Sequence, residues 1–223
     1  HTRLQGDWSS DVCSSDLGTA GHSFRRIGVV GAGQMGNGIA HVVALAGYDV
    51  AINDLRKEAY EKAVATIRKN LTRQVQRGLV KEADMETAIA RISFAPDLAA
   101  FSDTDLVIEA ATEDESVKRK IFQDLCPKLR KDAVLASNTS SISITRLAAS
   151  TDRPERFIGM HFMNPVPVMQ LVELIRGIAT EDATFTIART FVESLGKTIS
   201  VSEDFPAFIR SEEHTSELQS PCN

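Results

Sequence analysis

The chain has 223 residues, of which 43% are hydrophobic and 25% are charged, and its formal net charge is −5 at pH 7. This balance is typical of a globular protein and excludes a chain too polar to bury a core. No apolar run approaches the roughly 18 residues that cross a bilayer, and no basic stripe suggests nucleic acid as a partner.

The two ends of the chain differ from the rest. DWSSDVCSSDL (residues 7–17) and RSEEHTSELQS (residues 210–220) show neither helical nor strand periodicity. The second can be back-translated into a DNA string that resembles a sequencing-library adapter, and the reverse complement of that string encodes the first. We therefore predict a foreign or disordered segment at residues 1–23, one domain at residues 24–209 and a foreign tail at residues 210–223.

Cysteine usage indicates the compartment. Outside the unusual ends, Cys126 is the only cysteine, so no disulfide is expected within the domain. The N-terminus also lacks the order of basic, apolar and small residues that marks a secretory signal. A cytoplasmic protein is predicted on these grounds.

Along the domain, short apolar runs alternate with segments of helical periodicity. Eight strands are predicted, at FRRIGVVGAG, YDVAIND, RISFAPD, DLVIEAA, DAVLASNTSS, RFIGMHF, MQLVELIRG and KTISVSED. The predicted helices are QMGNGIAHVVALAG, one long helix over residues 57–78, ESVKRKIFQDL, a short helix at SITRLAAS capped by Ser143, and EDATFTIARTFVESLG. This alternation predicts an α/β fold of the Rossmann-like, doubly wound type, with a mostly parallel sheet and helices on both faces.

The first motif with chemical meaning is GAGQMG, in which Gly31, Gly33 and Gly36 follow a strand and open a helix. Such a turn lets a backbone approach a pyrophosphate, and the N–H groups at the helix N-terminus attract the phosphates. Asp54 ends the next strand, where a carboxylate accepts hydrogen bonds from a ribose and repels a 2′-phosphate. The pattern predicts NAD rather than NADP as cofactor, although Arg56 moderates that preference. A glycine turn without a ligand is the alternative.

A second motif places polar groups in an apolar run, GMHFMNPVPVMQLVE, which contains His161, Asn164 and Glu173. Taken alone, the imidazole is about as consistent with a satisfied core histidine as with a functional one. The strands that carry His161 and Glu173 can lie side by side, which would bring the two residues into contact.

The order of the motifs ASNTSSISIT, GMHFMNPVPVMQLVE and SEDFPAFI resembles the L-3-hydroxyacyl-CoA dehydrogenase family, and most closely its bacterial 3-hydroxybutyryl-CoA dehydrogenase branch. The likeness runs from about Arg26 to Ile209. It implies the interconversion of a 3-hydroxyacyl-CoA and its 3-oxoacyl-CoA with NAD. The resemblance gives His161 the role of general base or acid, and Glu173 would orient its ring and stabilise the imidazolium.

The same resemblance implies further site residues. Ser140 would donate to the reacting oxygen of the substrate, although a serine in this position also caps helices. Asn164 would orient the nicotinamide or the nearby backbone, with a turn-forming role as the alternative. The remaining implied contacts are with the cofactor, from Glu113 and Lys118, and with the phosphates of coenzyme A, from Arg73 and Arg77. Charges on a solvated helix surface are the alternative for all four. No metal ligands are expected.

One departure from the family lies at the C-terminal end. The family continues past DFPAFI into VNR and a helical domain that forms the dimer interface and closes the cleft, whereas Ser211 stands here in the place of that Asn. The resemblance therefore implies that the C-terminal helical domain is missing. Two other functions stay open: an inactive fragment that only binds NAD, and a β-hydroxyacid dehydrogenase, which would carry a catalytic lysine and lack the HFMNPV string.

Overall fold

Eight short strands form one sheet in the computed structural model, which describes residues 24–204. The strands are β1 (Arg26–Val30), β2 (Asp49–Asn53), β3 (Ile92–Ala95), β4 (Leu106–Glu109), β5 (Val134–Ser137), β6 (Phe157–Phe162), β7 (Leu171–Arg176) and β8 (Thr198–Glu203). The helices are α1 (Gln34–Leu45), α2 (Lys57–Gln76), α3 (Glu82–Ala90), α4 (Glu115–Leu125), α5 (Ile144–Ala148) and α6 (Asp182–Ser194). The mostly parallel α/β fold predicted from the alternation of patterns is thereby confirmed.

The order of the strands decides where a ligand can bind. Across the sheet the order is β3-β2-β1-β4-β5-β6-β7-β8. The first six strands are parallel, β7 is antiparallel to β6, and β8 is parallel to β7. From β1 the chain first adds β2 and β3 on one side of β1 and then adds β4, β5 and β6 on the other side. In open α/β sheets, ligands bind at the carboxyl ends of the strands beside such a switch point.

The strands alternate side chains between two cores, one on each face of the sheet. In β4, Leu106 and Ile108 point into the core beneath α1, α2, α3 and α6, and Val107 points into the core beneath α4 and α5. In the second core, the rings of Phe122 and Phe157 meet edge to face with their centroids 4.8 Å apart. Burial on both faces explains why the central strands β4 and β5 are fully buried and mostly apolar, whereas the edge strand β8 has no buried residue.

The predicted helices differ from the observed ones in one place. The segment predicted as one helix over residues 57–78 ends at Gln76, and a separate helix, α3, follows it. Only Met85 and Ala88 of α3 are buried, so its apolar stripe is too sparse to stand out in the sequence. The short helix α5 begins as predicted, because the Ser143 hydroxyl accepts a hydrogen bond from the Arg146 N–H.

Parts of the sequence-based interpretation lie outside the described residues. These are the predicted flanks at residues 1–23 and 210–223, the end of the predicted domain at residues 205–209, and the comparison made at Ser211. None of the helices within residues 24–204 has the length and apolar character required to cross a membrane.

An uncharged histidine is buried in the core between α1 and α2. His41 of α1 is 1% exposed, and within residues 24–204 neither of its ring nitrogens has a hydrogen-bond partner. Burial lowers the pKa of His41 to about 4 against the opposing effect of the nearby Gln74 side chain, and the positive charge of Lys197 adds to the lowering. The imidazole is therefore neutral in the folded protein at neutral pH.

Replacing His41 with Leu should make stability less dependent on pH. The ordinary pKa of histidine is about 6.5, so between that pH and about 4 the unfolded chain gains a proton that the folded chain does not. Stability is thus complete above the unfolded value and falls by up to about 3 kcal/mol as the pH drops through this window. Urea unfolding of both proteins at several pH values measures the difference. If the free energy of unfolding depends on pH equally in the two proteins, the low pKa of His41 is contradicted.

Candidate active site

The glycine turn after β1 is required by the protein's own packing at two positions. Gly31 has φ of +100°, and a side chain there would lie 2.7 Å from the Ala110 carbonyl oxygen. A Cβ on Gly36 would lie 1.7 Å from the Gly31 carbonyl oxygen. Both glycines therefore allow α1 to pack closely against β1 and β4, as the motif predicts.

Gly33 has no such internal reason to be a glycine. Its φ of −67° suits any residue, and no protein atom lies within 4 Å of the position that a Cβ would take. It is also the N-cap of α1, which has neither a side-chain cap nor an acidic residue in its first turn. The helix N-terminus is thus left with N–H groups that no side chain satisfies, beside open space. This arrangement fits the pyrophosphate of a dinucleotide.

The predicted ribose ligand, Asp54, lies at the end of β2 beside this turn. Its Oδ2 accepts a hydrogen bond from the Ala32 N–H at 2.9 Å, and its Oδ1 accepts one from the Arg56 N–H at 3.2 Å. A carboxylate offers about four acceptor positions, so these two bonds leave capacity for ribose hydroxyls. The structure therefore shows that Asp54 accepts a hydrogen bond from the glycine turn, and its contact with the ribose stays a prediction.

Replacing Gly33 with Val should weaken binding of NADH at least about tenfold, which corresponds to ~1.4 kcal/mol. A Cβ at this position would meet no protein atom within 4 Å, and the branched side chain would fill the space above the helix N-terminus. The free energy of unfolding should therefore change by less than about 1 kcal/mol, the usual size of an N-cap effect. Titration calorimetry and thermal unfolding measure the two quantities. Unchanged binding would show that the open space does not receive the cofactor.

The predicted acid–base pair is formed across two neighbouring strands. His161 of β6 lies directly opposite Glu173 of β7 in the antiparallel register. Its Nδ1 is 3.3 Å from Glu173 Oε2, and the two side chains are 21% and 22% exposed. Because an ionised carboxylate only accepts hydrogen bonds, this contact needs the ring proton on Nδ1. The other ring nitrogen, Nε2, can then exchange a proton with a substrate.

The predicted substrate serine is held by a carboxylate that follows β4. Glu113 Oε1 accepts hydrogen bonds from the Ser140 N–H at 2.7 Å, the Ser140 hydroxyl at 3.0 Å and the Thr139 hydroxyl at 2.9 Å. Burial raises the pKa of Glu113, but these hydrogen bonds and the charge of Lys118 outweigh it, so that the pKa lies below its usual value. Ser140 does not cap α5, since Ser143 does. The helix-cap interpretation of Ser140 is therefore wrong.

Lys118 is not a surface charge, which corrects the alternative stated for it. It is fully buried, and its Nζ lies 2.6 Å from Glu109 Oε2 and 3.5 Å from Glu113 Oε2. Glu109 is also fully buried and accepts hydrogen bonds from the Ser137 hydroxyl at 2.9 Å and the Ala111 N–H at 2.9 Å. This network joins β4, β5 and α4 at the carboxyl end of the sheet.

Sequence reasoning missed Glu109. The available signal was an acidic residue at the end of an otherwise apolar run, DLVIEAA. A buried carboxylate needs a partner, and Lys118 lies nine residues later, on the helix that follows. The end of the strand could have marked Glu109 as a candidate, but the spacing alone does not identify Lys118 as its partner.

Asn164 lies in the loop after β6 and contacts the start of α1. Its Oδ1 accepts a hydrogen bond from Gln34 Nε2 at 3.1 Å. The loop, α1 and α2 line an open cavity of about 430 Å³, and neither His161 nor Glu173 belongs to its lining. Its polar lining comes from Gln34, Asn37, Lys62, Thr66, Asn70 and Asn164. The cavity therefore extends from the glycine turn along the groove between the two helices.

The structure does not bring Arg73 and Arg77 to the acid–base pair or to this cavity. Both are exposed on or directly after the last turn of α2, beyond Asn70, the last α2 residue that lines the cavity. They lie on the same helix as Lys62 and Thr66, at the end farther from the glycine turn. Their predicted contact with coenzyme A therefore stays a prediction.

Comparison with known proteins identifies the family. Residues 26–205 match the family described as 3-hydroxyacyl-CoA dehydrogenase, NAD binding domain. The chain belongs to this family. The description of the family as an NAD binding domain agrees with the glycine turn and the order of the strands.

Relatives of this dehydrogenase family resemble the chain over most of its length. It is 62% identical over 186 residues to a 3-hydroxybutyryl-CoA dehydrogenase of Bradyrhizobium diazoefficiens, which covers 83% of this chain and 64% of the relative. The crystal structure of (S)-3-hydroxybutyryl-CoA dehydrogenase PaaH1 from Ralstonia eutropha is 46% identical, with a TM-score of 0.82, over 84% of this chain and 66% of that one. For FadB2 of M. tuberculosis the identity is 44% and the TM-score 0.79, over 82% and 65%. The chain thus spans about two thirds of the length of these relatives.

Proposed function

We propose that the protein is an NAD-dependent dehydrogenase that interconverts a 3-hydroxyacyl-CoA and its 3-oxoacyl-CoA, with 3-hydroxybutyryl-CoA as the expected substrate. The observation that carries the proposal is the pairing of His161 with Glu173, on strands of the same sheet that holds the glycine turn. The names of the relatives described above support the same reaction and substrate.

The residues can divide the work of alcohol oxidation between them. His161 Nε2 would take the hydroxyl proton while hydride leaves the carbon, and Glu173 would stabilise the resulting imidazolium. Bound NAD supplies the hydride acceptor. The Ser140 hydroxyl has one proton, which it donates to Glu113 Oε1, and it would turn from that carboxylate to donate to the oxygen that becomes the carbonyl. In the reverse direction, the same imidazolium would return the proton.

Other residues would hold the cofactor and the acyl-CoA. The first turn of α1 would bind the pyrophosphate at Gly33, and Asp54 would accept hydrogen bonds from the ribose. Glu113 and Asn164 would contact the nicotinamide side, whereas Lys118, which is fully buried, would act through Glu113 rather than touch the cofactor. The cavity between α1 and α2 has the size and polar lining to receive part of the coenzyme A arm.

Three further proposals have other support: the resemblance carries the first two, and a buried cysteine carries the third. Coenzyme A phosphates would meet Arg73 and Arg77. A homodimer would form through the C-terminal helical domain that the family carries. The buried free thiol of Cys126 fits a cytoplasmic location.

A second candidate function is an NAD-binding chain without turnover, which the partial coverage of the relatives favours. Titration calorimetry with NADH and an assay with acetoacetyl-CoA separate the two. Binding with turnover supports the dehydrogenase, binding without turnover supports the second candidate, and absence of binding contradicts both. A chimera that carries residues 26–204 and the C-terminal third of the Bradyrhizobium relative tests the site residues if the chain itself is inactive.

A further inference from the structure

Glu173 is held on both of its oxygens. Its Oε2 faces His161 Nδ1 at 3.3 Å, and its Oε1 accepts a hydrogen bond from the Ser202 hydroxyl at 2.8 Å. Ser202 comes from β8, which pairs in parallel with β7 on the side away from β6. Three neighbouring strands therefore each contribute one side chain to a continuous chain of hydrogen bonds.

The Ser202 hydroxyl restricts rotation of the Glu173 carboxylate about its last side-chain torsion. The last torsion of a glutamate is broad and roughly twofold, so that packing of the stem does not determine the plane of the carboxylate. A donor on one oxygen determines this plane and directs the other oxygen at the imidazole. Because the contact between Nδ1 and Oε2 is already at the long end of hydrogen-bond distances, a small rotation would break it.

We propose that Ser202 is a positioning residue for the reaction proposed above, and the inference rests on that function. By holding the carboxylate, Ser202 keeps the ring proton of His161 on Nδ1. Nε2 then presents its lone pair and accepts the hydroxyl proton of the substrate. Without Ser202, the ring would more often carry its proton on Nε2, and this tautomer cannot act as a base toward the alcohol.

The same strand offers a matched control. Ser200 lies two residues before Ser202, on the same face of β8 and beside Glu173 in the parallel register. It is exposed, and within residues 24–204 its hydroxyl makes no hydrogen bond with another side chain. Removing the Ser200 hydroxyl changes β8 as much as removing the Ser202 hydroxyl does, but it leaves the hydrogen bond between Ser202 and Glu173 in place.

The test compares Ser202→Ala, Ser202→Thr and Ser200→Ala in the full chain. Nitrogen-15 NMR of histidine-labelled protein at about pH 8, where an ordinary imidazole is neutral, reports which ring nitrogen carries the proton. A spectrum of His161→Ala identifies the signals. We expect Ser202→Ala to raise the fraction of His161 with the proton on Nε2 at least threefold, and we expect the wild type, Ser202→Thr and Ser200→Ala to agree.

Turnover provides the second readout, in the chain or in the chimera described above. Hydrogen bonds to charged groups have the strength for Ser202→Ala to lower kcat about tenfold, while KM should change less than twofold. Thermal unfolding of each variant shows whether it folds. If Ser202→Ala matches Ser200→Ala in tautomer and in kcat, the proposal is overturned. If Ser202→Ala shifts the tautomer but neither the wild type nor the chimera turns over substrate, the positioning role stands and the proposed function is contradicted.

Discussion

Replacing His161 with Ala should lower turnover of acetoacetyl-CoA by about 10²- to 10⁴-fold, the usual contribution of a general acid–base group. The substitution removes the nitrogen that exchanges a proton with the substrate, and leaves the glycine turn unchanged. Binding of NADH should therefore stay within about twofold of the wild type. Steady-state kinetics and titration calorimetry, in the chain or the chimera, measure the two quantities.

His41→Leu serves as the control, since it removes the other histidine of the described residues, which forms no hydrogen bond with His161 or Glu173. Its turnover near pH 7.5 should equal that of the wild type, because His41 is neutral there. Turnover that survives His161→Ala would refute the role of the imidazole. Equal losses in both histidine variants would point to a general effect on folding.

Replacing Glu109 with Leu should destabilise the protein by about 3–5 kcal/mol, the range for the removal of one partner from a buried ion pair. Lys118 would remain fully buried, with only the more distant carboxylate of Glu113 nearby. The hydroxyl of Ser137 would also lose its acceptor. Urea unfolding measures the loss, and Glu109→Gln should cost less because the amide oxygen still accepts hydrogen bonds.

A double variant shows whether the loss comes from the stranded charge. Adding Lys118→Met to Glu109→Leu replaces the whole pair with apolar side chains and should recover most of the lost free energy of unfolding, since such replacements are often neutral. If Glu109→Leu lowers the free energy of unfolding by less than about 1 kcal/mol, or if adding Lys118→Met recovers none of the loss, the unpaired charge of Lys118 is not the cause.

Much of the fold could be predicted from local patterns. The strand before GAGQMG and the helix after it follow from β-branched and helical spacing, and Gly31 and Gly36 meet atoms that leave no room for a side chain. The helix α3 escaped notice because only two of its nine residues are buried. A sequence pattern shows a buried face only when enough apolar residues mark it.

Only part of the candidate site could be predicted from the sequence. The positions of His161 and Glu173 could be predicted because both belong to one hairpin of neighbouring strands, 12 residues apart. The partner of Ser140 could not, since Glu113 lies 27 residues earlier and reaches it only when β4 and β5 pair. For the same reason, Ser202 gave no signal before β8 was placed beside β7.

The sequence by itself determined the dinucleotide-type turn, the α/β alternation and the family, because these depend on short-range spacing and on residue types that the backbone requires. Only the tertiary structure decided which charges lose contact with water and which acceptors they find. Glu109 and Lys118 read as ordinary charged residues, yet both are fully buried and paired. Burial and pairing arise from segments brought together across the sheet, and desolvation acts on that arrangement rather than on local sequence.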